Sequence, residues 1–189
     1  MKKYDLIIIG AGRASNLAAS AGKAGKRVAI IEKSTLGGTC PNRGCVPSKL
    51  LLGYAHVANA IKESNRHFID SSINSIDIKK IFEKTNTYIS KIDTIYENKF
   101  NENVDIYKGI GSFVSNNVIK VNDEQLTAPK IVIATGTRPI EAPHEKAWTS
   151  DDIFPLLGDI PKSITIVGAG FIACELASFF SGVGIKTTL

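Results

Sequence analysis

Cysteine is scarce in this sequence, three residues in 189, and the odd count does not fit the paired framework of a small secreted domain. Histidine is equally scarce. His56, His67 and His144 stand apart from one another and Cys174 lies far from the other two cysteines, so the four ligands of a zinc site do not assemble on paper and no metal is expected. No uninterrupted apolar run approaches bilayer-spanning length, and Met1 to Asp5 followed by the short run Leu6 to Ile9 does not make the apolar stretch of a signal peptide. A cytoplasmic location without a membrane partner is therefore expected. The formal charge of +5 comes from scattered lysines, several with acidic neighbours and none within a nucleic-acid-binding motif. It is read as solvation, and no nucleic-acid partner is expected. What is present, 43% hydrophobic residues, suffices for a substantial core.

The pattern along the chain is that of an α/β protein. Leu6 to Ile9 is an aliphatic run closed by Gly10-Ala11-Gly12, Asn16 to Ala24 suits a helix, and Val28 to Ile31 is a second aliphatic run ending at Glu32. The same grammar returns at Ile164 to Val167, Gly168-Ala169-Gly170, a helical stretch from Ile172 to Phe180, and Lys186 to Leu189. Between the two units, Ser48 to Glu63 and Ile78 to Phe100 read as covering helices. Four strand-like pieces follow, at 105–107, 111–114, 118–121 and 131–134, with Asn116-Asn117 and Asn122-Asp123 as turns, and a small antiparallel meander is the expected arrangement. Pro139, Pro143, Pro155 and Pro161 mark a linker, which places a domain boundary near residue 150, between a domain at 1–150 and the start of another at 151–189.

Two segments carry chemistry. At the first glycine turn, Gly10 permits the tight bend, Gly12 lets a pyrophosphate approach the backbone, and the amides at the helix start favour its negative charge. Glu32, 22 positions after Gly10 at the end of a strand, fits a ribose hydroxyl acceptor. The third glycine position holds Ser15, so the fingerprint is imperfect and helix-strand packing is expected to relax slightly. The second segment runs Gly37-Gly38-Thr39-Cys40-Pro41-Asn42-Arg43-Gly44-Cys45-Val46-Pro47-Ser48-Lys49. Two cysteines spaced this way can approach on one distorted helical turn and form a disulfide that opens and closes, with zinc as the structural rival. Cys174 reads as a small buried residue, and Trp148, Phe179 and Phe180 read as packing residues.

With these residues in hand, the chain resembles the class I pyridine nucleotide-disulfide oxidoreductases, the family of dihydrolipoamide dehydrogenase and of glutathione, mycothione and mercuric reductases. The resemblance spans essentially the whole chain and rests on Gly10-Ala11-Gly12 with Glu32, the Gly-Gly-Thr-Cys to Pro-Ser-Lys segment, Ala134-Thr135-Gly136 with Pro139, Ser150-Asp151-Asp152, and Gly168 to Glu175. It implies an FAD-binding Rossmann-like domain of three-layer ββα build with its small meander, then the start of a second Rossmann-like domain for NAD or NADP. It implies that Cys45 is the flavin-proximal thiolate and Cys40 the interchange thiol, with Lys49 near the flavin and paired with Glu175. Lys33, Gly38, Thr39, Gly111, Thr135 and Gly136 would lie along the FAD. Gly168, Gly170 and Ile172, with Ala173 at the third small position, would serve the NAD(P) side.

The implied activity passes electrons between NAD(P)H, FAD and the Cys40-Cys45 disulfide, on a small-molecule or protein-bound disulfide substrate, in a homodimer. Dihydrolipoamide dehydrogenase is the favoured subfamily. The alternatives are another disulfide or mercuric ion reductase, a single-cysteine NADH oxidase or peroxidase, which the cysteine pair argues against, and a non-catalytic nucleotide-binding module. Because the sequence stops at Leu189, soon after the second glycine motif, the chain is expected to be part of a longer protein. Pro41 and Arg43 stand between the cysteines where many family members carry apolar residues, and Arg43 is expected either to make the thiolate environment more positive or to face solvent.

Overall fold

The computed structural model describes residues 1–142, 144–156 and 158–189, so Pro143 of the expected linker lies outside the described residues. Its elements run in chain order as β1 (Lys2–Lys3), β2 (Leu6–Ile9), α1 (Ser15–Lys23), β3 (Val28–Glu32), α2 (Thr39–Arg43), α3 (Cys45–Glu63), α4 (Ile78–Ile89) and α5 (Ile92–Glu97). They continue with β4 (Val104–Lys108), β5 (Gly111–Ser115), β6 (Val118–Val121), β7 (Glu124–Thr127), β8 (Ile131–Ile133), α6 (Ser150–Ile153), β9 (Ser163–Thr165), α7 (Phe171–Gly182) and β10 (Lys186–Thr188). The chain divides into two compact units, one of Met1–Asn42 with Ser90–Arg138 and one of Arg43–Ile89 with Pro139–Leu189. Among the described residues no helix is long and apolar enough to cross a membrane.

The first unit has three layers. Its middle layer is a parallel sheet in the order β4-β3-β2-β8, with Ile8 opposite Ile30 and Val132. Parallel strands covered on both faces need apolar residues at consecutive positions, which is why Leu6 to Ile9 and Val28 to Ile31 are continuous aliphatic runs. Ile7, Ile9, Ala29 and Ile31 pack with Ile119, Val121 and Leu126 of the second sheet, while Ile8, Val28 and Ile30 pack with Ala18 of α1 and with Leu36. Each of these isoleucines contributes about 1.5–3 kcal/mol by leaving water. The second sheet is ordered β1-β7-β6-β5, its last three strands an antiparallel meander turning at Asn116-Asn117 and at Asn122, whose φ of 52° suits a short polar side chain.

Two strands expected in the meander belong elsewhere. The segments at 105–107 and 131–134 lie in β4 and β8, which pair parallel with β3 and β2 in the middle layer. Their apolar content announced strands, but local pattern cannot name a partner sheet. The meander takes β7 in their place, and β1 adds to it in parallel. The helix expected from Ile78 to Phe100 is two helices, α4 and α5, interrupted at Ser90-Lys91.

The second unit is built on α3 and α7, with Leu51, Ala55, Phe82, Phe154, Leu176, Phe179 and Phe180 in one buried cluster. The two helices approach closely because Gly182 has no side chain: a Cβ there would stand 2.7 Å from the Cβ of Ala55. The parallel pair β9 and β10 flanks α7 in sequence, so the expected strand-glycine-helix-strand unit forms. Phe179 and Phe180 are buried as expected, but Trp148 is 44% exposed and is not a core residue. Cys174 is also exposed, against expectation, because α7 turns Leu176, Phe179 and Phe180 toward the core and residue 174 lies two positions from 176, well round the helix.

Candidate functional site

In the first unit the site is built at the carboxyl ends of β2, β3 and β8. Gly10 takes a φ of 105°, and a Cβ on it would stand 2.2 Å from the carbonyl oxygen of Ala134, so only glycine lets β2 turn here. The Glu32 carboxylate is fixed by two backbone amides, Ala11 donating at 2.8 Å to one oxygen and Ser34 at 2.9 Å to the other. Ser15, in the third glycine position, is buried, and its hydroxyl donates to the Ala11 carbonyl at 2.6 Å. The serine thus closes the turn with a local bond. No side chain caps the start of α1, whose first amides, Ser15 and Asn16, donate to the carbonyls of Gly12 (3.0 Å) and Arg13 (3.3 Å) in the turn.

The loop from β3 to α2 returns to the same turn. Gly37 donates its amide to Ala11 at 2.8 Å, and a Cβ on Gly38 would stand 2.7 Å from the Cα of Gly12. Thr39 opens α2 at an exposed position and Cys40 follows, partly buried. Lys33, just past β3, and Thr135 and Gly136, just past β8, are exposed, whereas Gly111 is packed in its sheet, where a Cβ would lie 3.3 Å from Cδ1 of Ile31. Two residues that sequence reasoning missed shape this loop. The buried Asn42 amide donates to the carbonyls of Leu36 (2.8 Å) and Gly38 (2.9 Å), and Asp93 of α5 accepts the Leu36 amide at 2.6 Å. Asn42 lay in view between the cysteines, but nothing in sequence links Asp93 to residue 36.

This cradle fits the pyrophosphate and ribose of a dinucleotide. Its glycine contacts leave no room for side chains, a helix start brings positive dipole toward the turn, and a carboxylate stands at the end of the second strand.

In the second unit Cys45 is the first residue of α3 and is exposed. Lys49 lies four residues on, one turn along the same face. Its ammonium donates to Oε1 of Glu175 on α7, and the hydroxyl of Ser48 donates to Oε2 of the same carboxylate at 2.7 Å. These bonds, Lys49 first and Ser48 second, hold the Glu175 carboxyl below the ordinary carboxylate range. The expected pairing of Lys49 with Glu175 is thus present in the fold. The Arg43 guanidinium lies 4.0 Å from the carboxylate of Asp151, a counter-charge that sequence reading did not assign to it. Gly168 (φ 115°) and Gly170 open α7, Ile172 is exposed in its first turn, and a Cβ on either glycine would meet no atom within 4 Å. No disulfide joins the cysteines, and among the described residues no cluster of His, Cys, Asp and Glu could hold a metal ion.

Comparison with known proteins adds to this picture. Residues 4–189 match the family described as pyridine nucleotide-disulphide oxidoreductase. The chain is 38% identical to a soluble pyridine nucleotide transhydrogenase of Marinomonas sp. over all of its length and 43% of the relative's. It is 34% identical to a dihydrolipoyl dehydrogenase of Chlamydia pneumoniae, again over its whole length and 42% of the relative's. Its fold superposes on the HOCl-induced flavoprotein disulfide reductase RclA of Escherichia coli with a TM-score of 0.82 and 28% identity, covering 99% of this chain and 42% of that one. The chain therefore spans less than half the length of these relatives.

Proposed function

The chain belongs to the pyridine nucleotide-disulphide oxidoreductase family, and from that premise we propose that it carries the flavin cradle and redox dithiol of an FAD-dependent, NAD(P)-linked disulfide oxidoreductase. In this reading residues 1–150 belong to the flavin-binding domain and residues 151–189 open the NAD(P)-binding domain of a cytoplasmic homodimer. The observation that carries the reading is the placement of Cys45 at the head of α3, one turn before a lysine whose charge is matched by Glu175 of the second glycine-turn helix.

Gly10, Gly12, Gly38 and Thr39 would hold the FAD pyrophosphate and Glu32 its ribose, with Lys33, Ser15, Gly111, Thr135 and Gly136 along the cofactor; Gly168, Gly170 and Ile172 would serve NAD or NADP. Bound FAD would supply the two-electron step that reduces the Cys40-Cys45 disulfide. Two electrons and two protons break that S–S bond and leave two thiols. Cys40, as thiolate, attacks one sulfur of the substrate disulfide and expels the first thiolate. Cys45 then attacks the Cys40 sulfur of the mixed disulfide, releases the second thiolate and restores the pair. The Lys49 ammonium lies one turn from Cys45 along α3.

The substrate is a small-molecule or protein-bound disulfide, and dihydrolipoamide, run in the oxidative direction, is the first candidate. The experiment is a substrate panel of dihydrolipoamide with NAD, glutathione disulfide with NADPH, mercuric ion, and transhydrogenation between NADPH and NAD, in wild type and Cys40→Ser. Loss of disulfide turnover in the variant supports the dithiol reading. Equal turnover in both proteins contradicts it.

A further inference from the structure

The hydroxyl of Ser48 stands between two acceptors. It lies 2.7 Å from Oε2 of Glu175 and 3.3 Å from the carbonyl oxygen of Cys45. A hydroxyl has one proton to donate, and the shorter, charge-assisted bond to the carboxylate takes it. Ser48 is 9% exposed, so water has little access to replace that bond. With Oε2 held by Ser48, the other oxygen, Oε1, is turned to Lys49. The carboxylate is thus gripped from two neighbouring residues of α3, and both grips lie within one turn of Cys45.

From this arrangement we infer that Ser48 is a positioning residue for the thiol chemistry: it orients Glu175 so that the carboxylate neutralises Lys49, the cation one turn from Cys45. The inference rests on the proposed role of the Lys49-Glu175 pair beside Cys45. Without the hydroxyl, Glu175 keeps only the contact with the exposed Lys49 and can swing toward water. The ammonium one turn from Cys45 is then less fully neutralised. Threonine at this position keeps a hydroxyl and therefore the grip.

The test uses the FAD-loaded protein reduced by two electrons, with the long-wavelength thiolate-flavin absorbance followed against pH. Ser48→Ala moves the midpoint to lower pH, in the same direction as Glu175→Gln and by less, and Ser48→Thr returns it to the wild-type value. FAD content and thermal midpoint, recorded alongside, separate this from loss of fold, which would lower both and leave no coherent midpoint shift in the Thr variant to compare. An unshifted Ser48→Ala profile beside a shifted Glu175→Gln profile overturns the role of Ser48 alone. Unshifted profiles in both variants overturn the reading of the Lys49-Glu175 pair beneath it.

Discussion

Gly12 and Gly38 meet backbone to backbone, so that a Cβ on Gly38 would stand 2.7 Å from the Cα of Gly12 at a φ of 68°. The contact ties the loop leading to Cys40 onto the first glycine turn, and both the distance and the dihedral require glycine. Gly38→Ala is expected to destabilise by about 1–3 kcal/mol and to lower FAD retention well below wild type. Flavin fluorescence after ultrafiltration measures the second effect. Wild-type retention in the variant would mean that the loop does not bear on the cofactor.

Glu175 links stability to pH. Its folded-state carboxyl lies below the ordinary value of 4.5, so the paired form contributes stability above that value and loses it as pH falls through the folded one. Urea midpoints measured on the acid side of 4.5 are therefore expected to fall less steeply in Glu175→Gln than in wild type. Parallel slopes would contradict the linkage.

Tyr4 does the same at the alkaline end. Burial, then hydrogen bonds to Asp105 (2.6 Å) and Tyr107 (2.7 Å), raise its phenol well above the ordinary range. A phenol raised in the folded state contributes stability below its unfolded value, near 10, and loses it as pH rises beyond that. Tyr4→Phe is expected to cost about 1 kcal/mol at neutral pH and to reduce the alkaline loss, read as thermal midpoints from neutral to strongly alkaline pH.

The α3-α7 contact predicts a steric cost. Because a Cβ on Gly182 would lie 2.7 Å from the Cβ of Ala55, Gly182→Ala forces the helices apart and costs about 1–3 kcal/mol despite alanine's better helix propensity. Phe179→Ala, which empties a site edge-on to Phe82 at 5.6 Å, costs about 3–5 kcal/mol. Chemical denaturation gives both values, and a stabilised Gly182→Ala would show that the helices have room to spare.

Sequence carried the local features well and the remote ones poorly. The continuous aliphatic runs at β2 and β3 announce strands buried on both faces, and the glycine turns follow from dihedrals that other residues resist. The partner sheet of β4 and β8 depends on contacts far along the chain, which no local period encodes. The exposure of Cys174 and Trp148 depends likewise on which helix or loop face the core takes. Cys40, Cys45 and Lys49 stand in one short segment, so sequence alone groups them as candidates. Asp93, acting on Leu36 across 57 positions, and Ser48, acting on Glu175 across 127, were visible only once the chain was folded.

The central claim is that Cys40 and Cys45 exchange electrons with a bound flavin, and anaerobic titration of the FAD-loaded protein with NADH and with NADPH tests it most directly. The account predicts a long-wavelength absorbance band at two-electron reduction that is lost in Cys45→Ser, with the nucleotide that produces it identifying the preferred one. Bleaching of the flavin by either nucleotide with no such band would contradict it.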